Sequence, residues 1–542
     1  GGREGRESAM SSIAHCSEVV VGGGWAGLYF AYRSLERTPA ASLCLFESSA
    51  RIGGRTFSIS DELDVGDGKL TLDIGAYRFS PDMHLPGDLI LKKLKLPTAC
   101  YEPGCPSAKL DMPNPFIFNY SAPLRRIVNP KTGLPSGYAT PLFEMVRELR
   151  AAGVTIALNH ELVGLSQPAA NGKPILQIKT PDSEFPVSIS PNLVLLNVPR
   201  ARLLPLPGVA AAFGSRAMKA LSCVRFDKPA GDAWKNWTIT DASFTALSKA
   251  YLGYDDAWWV TKLNISRGEY PENAFFPIKT SKGIDIGIRW SDGPVTCKND
   301  ASGFTAGVSS TSGQCSGYLE AYYAVSNETF FRDVSGEPMN PLGTVRASNP
   351  HGNETLAAVH SALLEAIAPL LRDRGVTASS IPAPRQMVVG VWARPDKTAT
   401  PIGPPYGYTA PTKVYYVPEL VGPLSEACGV EGLTEAEYRM IALQPLGKEI
   451  KLYMANNDWV AMNTRYMFGD WAEETLLQAE RALRSLGATR PSWLDADYYE
   501  KKIAGVLDAD LALVQELHAS RPHGHGIAQA PLERSVKAVE LF

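Results

Sequence analysis

Near the amino terminus the hydrophobic positions fall into short blocks separated by glycines and polar turns. Val19, Val20 and Val21 form an unbroken apolar run, the pattern of a strand covered on both faces. Gly22-Gly23-Gly24-Trp25-Ala26-Gly27 follows, and the spacing of apolar residues from Trp25 to about Leu35 predicts a helix. A second run, Leu43-Cys44-Leu45-Phe46, predicts a strand that ends on Glu47. Leu70 to Phe79 reads as a strand entering a turn at Gly75, and Leu89 to Leu96 as a short helix. Residues 100–135, rich in Pro, Asn and Cys, read as irregular structure or a helical excursion. A helix is expected from Thr140, with Thr140 as N-cap, Pro141 in its first position and a stop before Gly153. Val154 to Leu158 is a β-branched strand, Glu161 to Leu165 is expected to continue the same sheet, and Leu193 to Val198 is another buried strand.

From about residue 230 to 435 the pattern changes. Mixed strands at Ile284 to Trp290, Tyr318 to Val325 and Val388 to Trp392 surround a long amphipathic helix from Leu356 to Leu371. This predicts a second domain with an antiparallel sheet and helices. Ile450 to Ala455 is then a strand, and Trp471 begins a helix that runs to about Leu486 and stops at Gly487. A strand, loop and helix this late can return to the first domain and leave both domains discontinuous.

Composition narrows the function classes. The chain has 542 residues, 45% apolar and 20% charged, which suits a globular protein of two to four domains. A formal charge of −3 gives no global field for nucleic acid or an anionic membrane. No apolar run approaches eighteen residues, so no membrane span is expected, and the first eighteen residues lack the apolar core of a signal peptide. Five sequons, at Asn119, Asn236, Asn264, Asn327 and Asn353, lean toward a secreted or extracellular setting, including a periplasmic or cell-wall space. The eight cysteines agree with it: Cys100 with Cys105, and Cys297 with Cys315, bracket turns that small disulfides could close. Cys44, inside a strand, reads as a buried thiol. Cysteines and histidines do not group at zinc spacing, so no metal site is expected.

The opening block carries chemistry. Strand, glycine turn, helix, strand and acid appear in the order a dinucleotide site needs. Gly22 permits the tight turn, Gly24 lets the backbone approach a pyrophosphate, and Gly27 lets helix and strand pack closely. Glu47, twenty residues after Gly27, stands where a carboxylate accepts ribose hydroxyls.

Together these residues resemble the flavin-dependent amine oxidase superfamily, and within it the L-amino acid oxidases. Four stretches carry the likeness: the first glycine motif with Glu47; Arg51-Ile52-Gly53-Gly54-Arg55; Asp73 to Phe79 with His84 downstream; and Leu452 to Asp458 followed by Trp471-Ala472-Glu473. The resemblance implies an α/β fold, in which an FAD-binding Rossmann-like domain of glutathione-reductase type is interleaved with a mixed α+β substrate domain. The first would take residues 15–80, 136–230 and 440–490, the second 231–439. An excursion would occupy 81–135 and a helical extension 491–542. FAD is the implied cofactor, with Gly22, Gly24, Trp25, Ala26, Gly27, Glu47, Arg51, Gly54, Arg55, Gly75, Ala76, Tyr77, Arg78, Val163, Asp458, Trp471 and Ala472 as its contacts.

The same resemblance implies roles. Arg78 would hold a substrate carboxylate, which suits the planar guanidinium fork. Asp458 would reach the ribityl chain, Ala472 would donate an amide at the pyrimidine edge, and Trp471 would wall the substrate, with the Asp470 carbonyl near its amino group. The chain departs from the family in the twelve residues between Asp458 and Trp471, and in Asp470 and Glu474, where small residues are usual. The family lysine near flavin N5 falls to Lys279 or Lys282. Tyr322, Trp392, Tyr406 and Trp459 are candidate pocket walls. The implied reaction is oxidation of an L-amino acid by FAD and dioxygen to a 2-oxo acid, ammonia and hydrogen peroxide. Alternatives are an amine or polyamine oxidase, a nicotinamide-dependent dehydrogenase using the first motif alone, or a non-catalytic flavoprotein. No nucleic-acid partner is expected, and a homo-oligomer is left open.

Overall fold

The computed structural model describes residues 15–520 apart from 61–63, 66–67, 103–104, 106–108, 111–117, 120–121, 167–171, 223–245, 273, 275–276, 298–314, 327–329, 335–340, 393–413, 417–423, 460 and 464–471. Five strands make one parallel sheet, in the spatial order Thr155–Leu158, Leu43–Glu47, Glu18–Val21, Leu193–Leu196, Leu452–Met454. The first strand in sequence is central, because its apolar residues are buried on both faces. Val20 joins the core beneath helices Trp25–Ser34, Thr140–Ala152 and Ala472–Ser485, while Val19 and Val21 join the opposite core. On that opposite face lies a three-stranded antiparallel sheet, Glu161–Ser166, Ile175–Lys179 and Val187–Ile189.

This last sheet corrects one expectation. Glu161–Ser166 does not extend the parallel sheet, because Asn159 turns the chain at φ 57° directly after Leu158 and sends it into the antiparallel layer. A bulge between Leu162 and Gly164 leaves Val163 out of the ladder. A second correction concerns Thr140. It is already helical, and its hydroxyl donates back to the carbonyls of Gly137 (2.8 Å) and Ser136 (3.0 Å), which lie within its reach in the preceding turn. Gly153, at φ 95°, ends that helix. The short helix read at Leu89 begins earlier, as His84–Asp88, and continues through a π-turn over Leu89–Lys93.

The other large sheet runs Glu269–Tyr270, Ile288–Arg289, Cys315–Ser326, Ala246–Tyr254, Gln386–Trp392, Leu342–Arg346, every neighbouring pair antiparallel. Ile284 to Trp290 is not one strand. Asp285–Ile286 and Ile288–Arg289 separate at Gly287, where a Cβ would stand 2.5 Å from the Ala274 carbonyl oxygen. Helix Pro350–Asp373 is long and apolar enough to cross a bilayer by length and composition. Its Leu356, Val359, Leu363 and Ile367 pack into the core of this sheet, which accounts for that composition.

Disulfides join Cys100 to Cys105 and Cys297 to Cys315. Cys44 is not a thiol: it bonds Cys16, 5.6 Å away between Cα atoms, since adjacent parallel strands bring the two within bridging distance. His15 lies beside this pair, but the disulfide removes the two thiolates a metal would need. Asn264 and Asn353 are exposed, Asn119 ends a short strand, and Asn236 and Asn327 lie outside the described residues.

Candidate active site

The first glycine loop sits at the carboxyl ends of the parallel strands, where the chain connections diverge on either side of the central strand, a position suited to a nucleotide. Gly22 has φ 101°, and a Cβ there would lie 2.3 Å from the Asn197 carbonyl oxygen. At Gly27 a Cβ would lie 1.9 Å from the Gly22 carbonyl oxygen, so only glycine lets the helix start this close to the turn. Gly24 caps helix Trp25–Ser34 with no side-chain hydrogen bond, which leaves that end to its backbone N–H groups and the positive pole of the helix. Glu47 is buried at the tip of the second strand. Its carboxylate accepts from Gly23 N at 2.7 Å and from the Ser49 amide and hydroxyl at 2.9 and 2.8 Å, a fixed acceptor at the ribose position.

The second glycine loop packs on the first. Gly53 N donates to the Gly23 carbonyl at 2.8 Å, and Gly54 approaches Gly24 at its Cα. Arg51 is folded back over its own loop: it donates to the carbonyls of Ile52 and Gly54 at 3.1 and 2.7 Å and covers the Phe57 ring at 3.9 Å. Arg55 pairs with Asp458 at 2.9 Å, and the other Asp458 oxygen takes the Arg200 amide at 2.9 Å. Asp458 is fully buried, and its carboxylate thus fastens the late strand-and-loop segment to the second glycine loop. The glycines, the uncapped helix end and the placed carboxylate fit a dinucleotide cofactor.

Past the Gly75 turn the site becomes polar and buried. Ala76 N donates to the Arg55 carbonyl at 3.1 Å, and a Cβ on Gly75 would stand 2.1 Å from that oxygen. Tyr77 is buried, and two cations lie against its ring: Arg78 at 4.6 Å and Lys249 at 3.4 Å from the centroid. Arg78 also lies 5.0 Å from the Tyr101 ring. Burial works against its charge, but Tyr77 and Asp292 outweigh that, and its pKa is raised. Lys249 is 1% exposed; its Nζ donates to the carbonyls of Gly75 (2.8 Å) and Asp73 (3.2 Å), and burial pulls its pKa down to about 8. Burial likewise raises Asp73 to about 6 and pushes Glu320 upward. Arg289 meets Glu269 at 2.8 Å and Glu320 at 3.7 Å behind them.

The buried lysine beside Tyr77 is Lys249, not either of the two lysines read from the sequence. Lys279 and Lys282 are both exposed, on and beside the hairpin of Ile278–Lys279 and Asp285–Ile286. The signal for Lys249 was present but faint: it is the one charge in the run 246–254, which forms a central strand. Asn197, whose Nδ2 donates to the Gly22 carbonyl at 3.3 Å, was also missed. Glu473, read from the sequence only as part of the late motif, is a buried acid beside Ala472. It accepts the Leu85 amide at 3.1 Å, and burial holds its pKa up at about 8. Ala472 opens its helix as a buried residue, while Trp471, Asp470 and Tyr406 lie outside the described residues. Tyr322 and Trp459 are core side chains rather than pocket walls, and Trp392 donates to the Ile74 carbonyl at 2.7 Å, close against Gly75.

Comparison with curated proteins finds no match. Residues 20–85, which hold both glycine loops, Glu47 and Arg78, match the family model of an NAD(P)-binding Rossmann-like domain. The chain therefore carries a Rossmann-like dinucleotide-binding domain of the kind typical of flavin oxidoreductases, set in a mixed α/β fold with a parallel sheet.

Proposed function

We propose that the chain is an FAD-dependent L-amino acid oxidase that releases 2-oxo acid, ammonia and hydrogen peroxide. The observation that carries this reading is the pair of cations on Tyr77, one step beyond the loops that fit a dinucleotide. Arg78 offers a carboxylate two parallel hydrogen bonds and so fixes the Cα of an amino acid in one orientation. Lys249, with its pKa near 8, is in part neutral at working pH and accepts a proton directly or through water. Arg78 lies against the Tyr77 and Tyr101 rings, and Lys249 against Tyr77. When bound, FAD would supply the electron acceptor and hand the electrons on to dioxygen. The disulfides and the exposed sequons Asn264 and Asn353 support a secreted or extracellular location.

The test begins with the absorption spectrum of the purified protein, followed by a peroxide-release assay on phenylalanine and phenethylamine. A flavin band and oxidation of phenylalanine are expected, with Arg78→Ala raising KM for phenylalanine by about 100-fold or more. Preference for phenethylamine would replace this reading with an amine oxidase. A colourless protein that takes up nicotinamide cofactor would replace it with a dehydrogenase.

A further inference from the structure

The sheet that carries Lys249 has two different faces. Ala250, Leu252, Leu319, Ala321 and Tyr322 belong to its apolar core, while Tyr251 and Tyr318 pack on the other side with Ile74, next to the Gly75 turn. Strict alternation along Cys315–Ser326 would put Glu320 on the same face as Tyr322, in the apolar core. A bulge prevents this. Tyr322 pairs with Ala250 and Glu320 pairs with Tyr251, which leaves Ala321 as the extra residue between them. The bulge thereby turns Glu320, fully buried, to the face that holds Lys249, Tyr251 and Tyr323.

On that face Lys249 stands opposite Tyr323, and Glu320 stands opposite Tyr251, two residues further along. The two ionisable groups are therefore diagonal neighbours across the ladder, a spacing of roughly 7 Å that long side chains span. The Lys249 ammonium donates to the carbonyls of Gly75 and Asp73 and lies against the Tyr77 ring, so Glu320 reaches it through charge. Arg289, paired with Glu320 in the ladder, holds Nη1 3.7 Å from that carboxylate and Nε 2.8 Å from Glu269. Burial lowers the Lys249 pKa; Glu320 is the strongest charge opposing this, followed by Asp292 and Asp73, while Arg78 adds to the lowering. Burial and Asp292 raise the Glu320 pKa, and Lys249 and Arg289 work against them.

Resting on Lys249 as the base of the oxidase, we propose that Glu320 is its positioning residue: the bulge sets this carboxylate across the ladder from the lysine, where its charge governs how firmly the base holds its proton. Glu320 touches no substrate in this role. Its negative charge favours the ammonium, so it works against burial, which would otherwise strip Lys249 of its proton well below neutral pH. Arg289 keeps the carboxylate ionised while Lys249 titrates.

The test is an NMR titration of the full chain labelled at lysine Cε, with the signal that vanishes in Lys249→Met assigned to Lys249. Wild type is expected to titrate near pH 8. Glu320→Gln should lower that midpoint by about one unit, and Glu320→Asp, which keeps the charge, should stay within about half a unit of wild type. If Glu320→Gln yields no folded protein, Glu320→Met removes the same charge at similar length and is read in the same way. An unmoved midpoint in the neutral variant would overturn the proposal, as would an equal shift in Glu320→Asp, which would assign the effect to packing. A wild-type midpoint at the ordinary lysine value of about 10.4 would overturn it without any variant. The titration needs no substrate, so it is independent of the oxidase reading. On phenylalanine, the rising limb of kcat/KM should move down with the midpoint. Flavin-loaded protein that oxidises no amino acid would remove the oxidase reading and leave the Glu320 result intact.

Discussion

Lys249 shows how position sets the chemistry of a single side chain. On a surface the ammonium would keep its proton far above neutrality. Inside the central strand Ala246–Tyr254 it is withdrawn from water, and the carbonyls of Gly75 and Asp73 together with Glu320 recover only part of the lost hydration. The charged form is the one burial disfavours, so the pKa moves down, to about 8. If Lys249 accepts the proton, activity must rise with pH as the amine loses its own, through about pH 8. A kcat/KM profile on an amino acid should show that rising limb. Lys249→Met, close in length, should remove the limb and lower the plateau by roughly 100-fold. A mutant that kept the limb would move the base elsewhere.

At the scale of elements, the strand–turn–helix unit is held by contacts that leave no room for a Cβ. Gly27 is the sharpest case, its missing methyl placed 1.9 Å from the Gly22 carbonyl oxygen. Neither group is a flexible side-chain end, so Gly27→Ala must push the helix away from the turn. The helix start and the amides of the loop then lose their common focus on a phosphate. Flavin content, read as the ratio of visible to protein absorbance, is expected to fall by at least about tenfold, and stability by about 1–3 kcal/mol in denaturant titration. Full flavin loading in the alanine variant would place the phosphate away from this helix. The bulge at Val163 is a subtler device of the same kind, since it re-aims one residue of a strand that otherwise only packs.

At the scale of the molecule, an early helix and a late one are fastened together. Helix Trp25–Ser34 and helix Ala472–Ser485 pack side by side, and between them Glu480, fully buried, takes Tyr29 Oη at 2.5 Å and Arg33 Nε at 2.9 Å. Arg33 continues to the Thr489 carbonyl at 2.8 Å. Breaking a buried pair strands its partner, so Arg33→Met should cost about 3–5 kcal/mol in urea unfolding. Adding Glu480→Gln should recover a large part, because it removes the stranded charge. Equal costs for the single and double variants would mean that Arg33 contributes by packing alone.

The sequence by itself determined the opening strand, glycine turn, helix, strand and acid, the late return of the chain to that unit, and the arginine beyond the Gly75 turn. These features are local: apolar runs, backbone freedom at glycine and fixed spacing show in a few dozen consecutive residues. Two disulfides closing short loops were legible for the same reason. Tertiary structure alone decided which lysine is buried, that Cys44 finds Cys16, that Glu161–Ser166 leaves the parallel sheet, and that Asp292 and Glu473 are acids enclosed by neighbours distant in sequence. A pKa or a disulfide partner depends on what surrounds a group in space, and those surroundings come from segments distant in sequence.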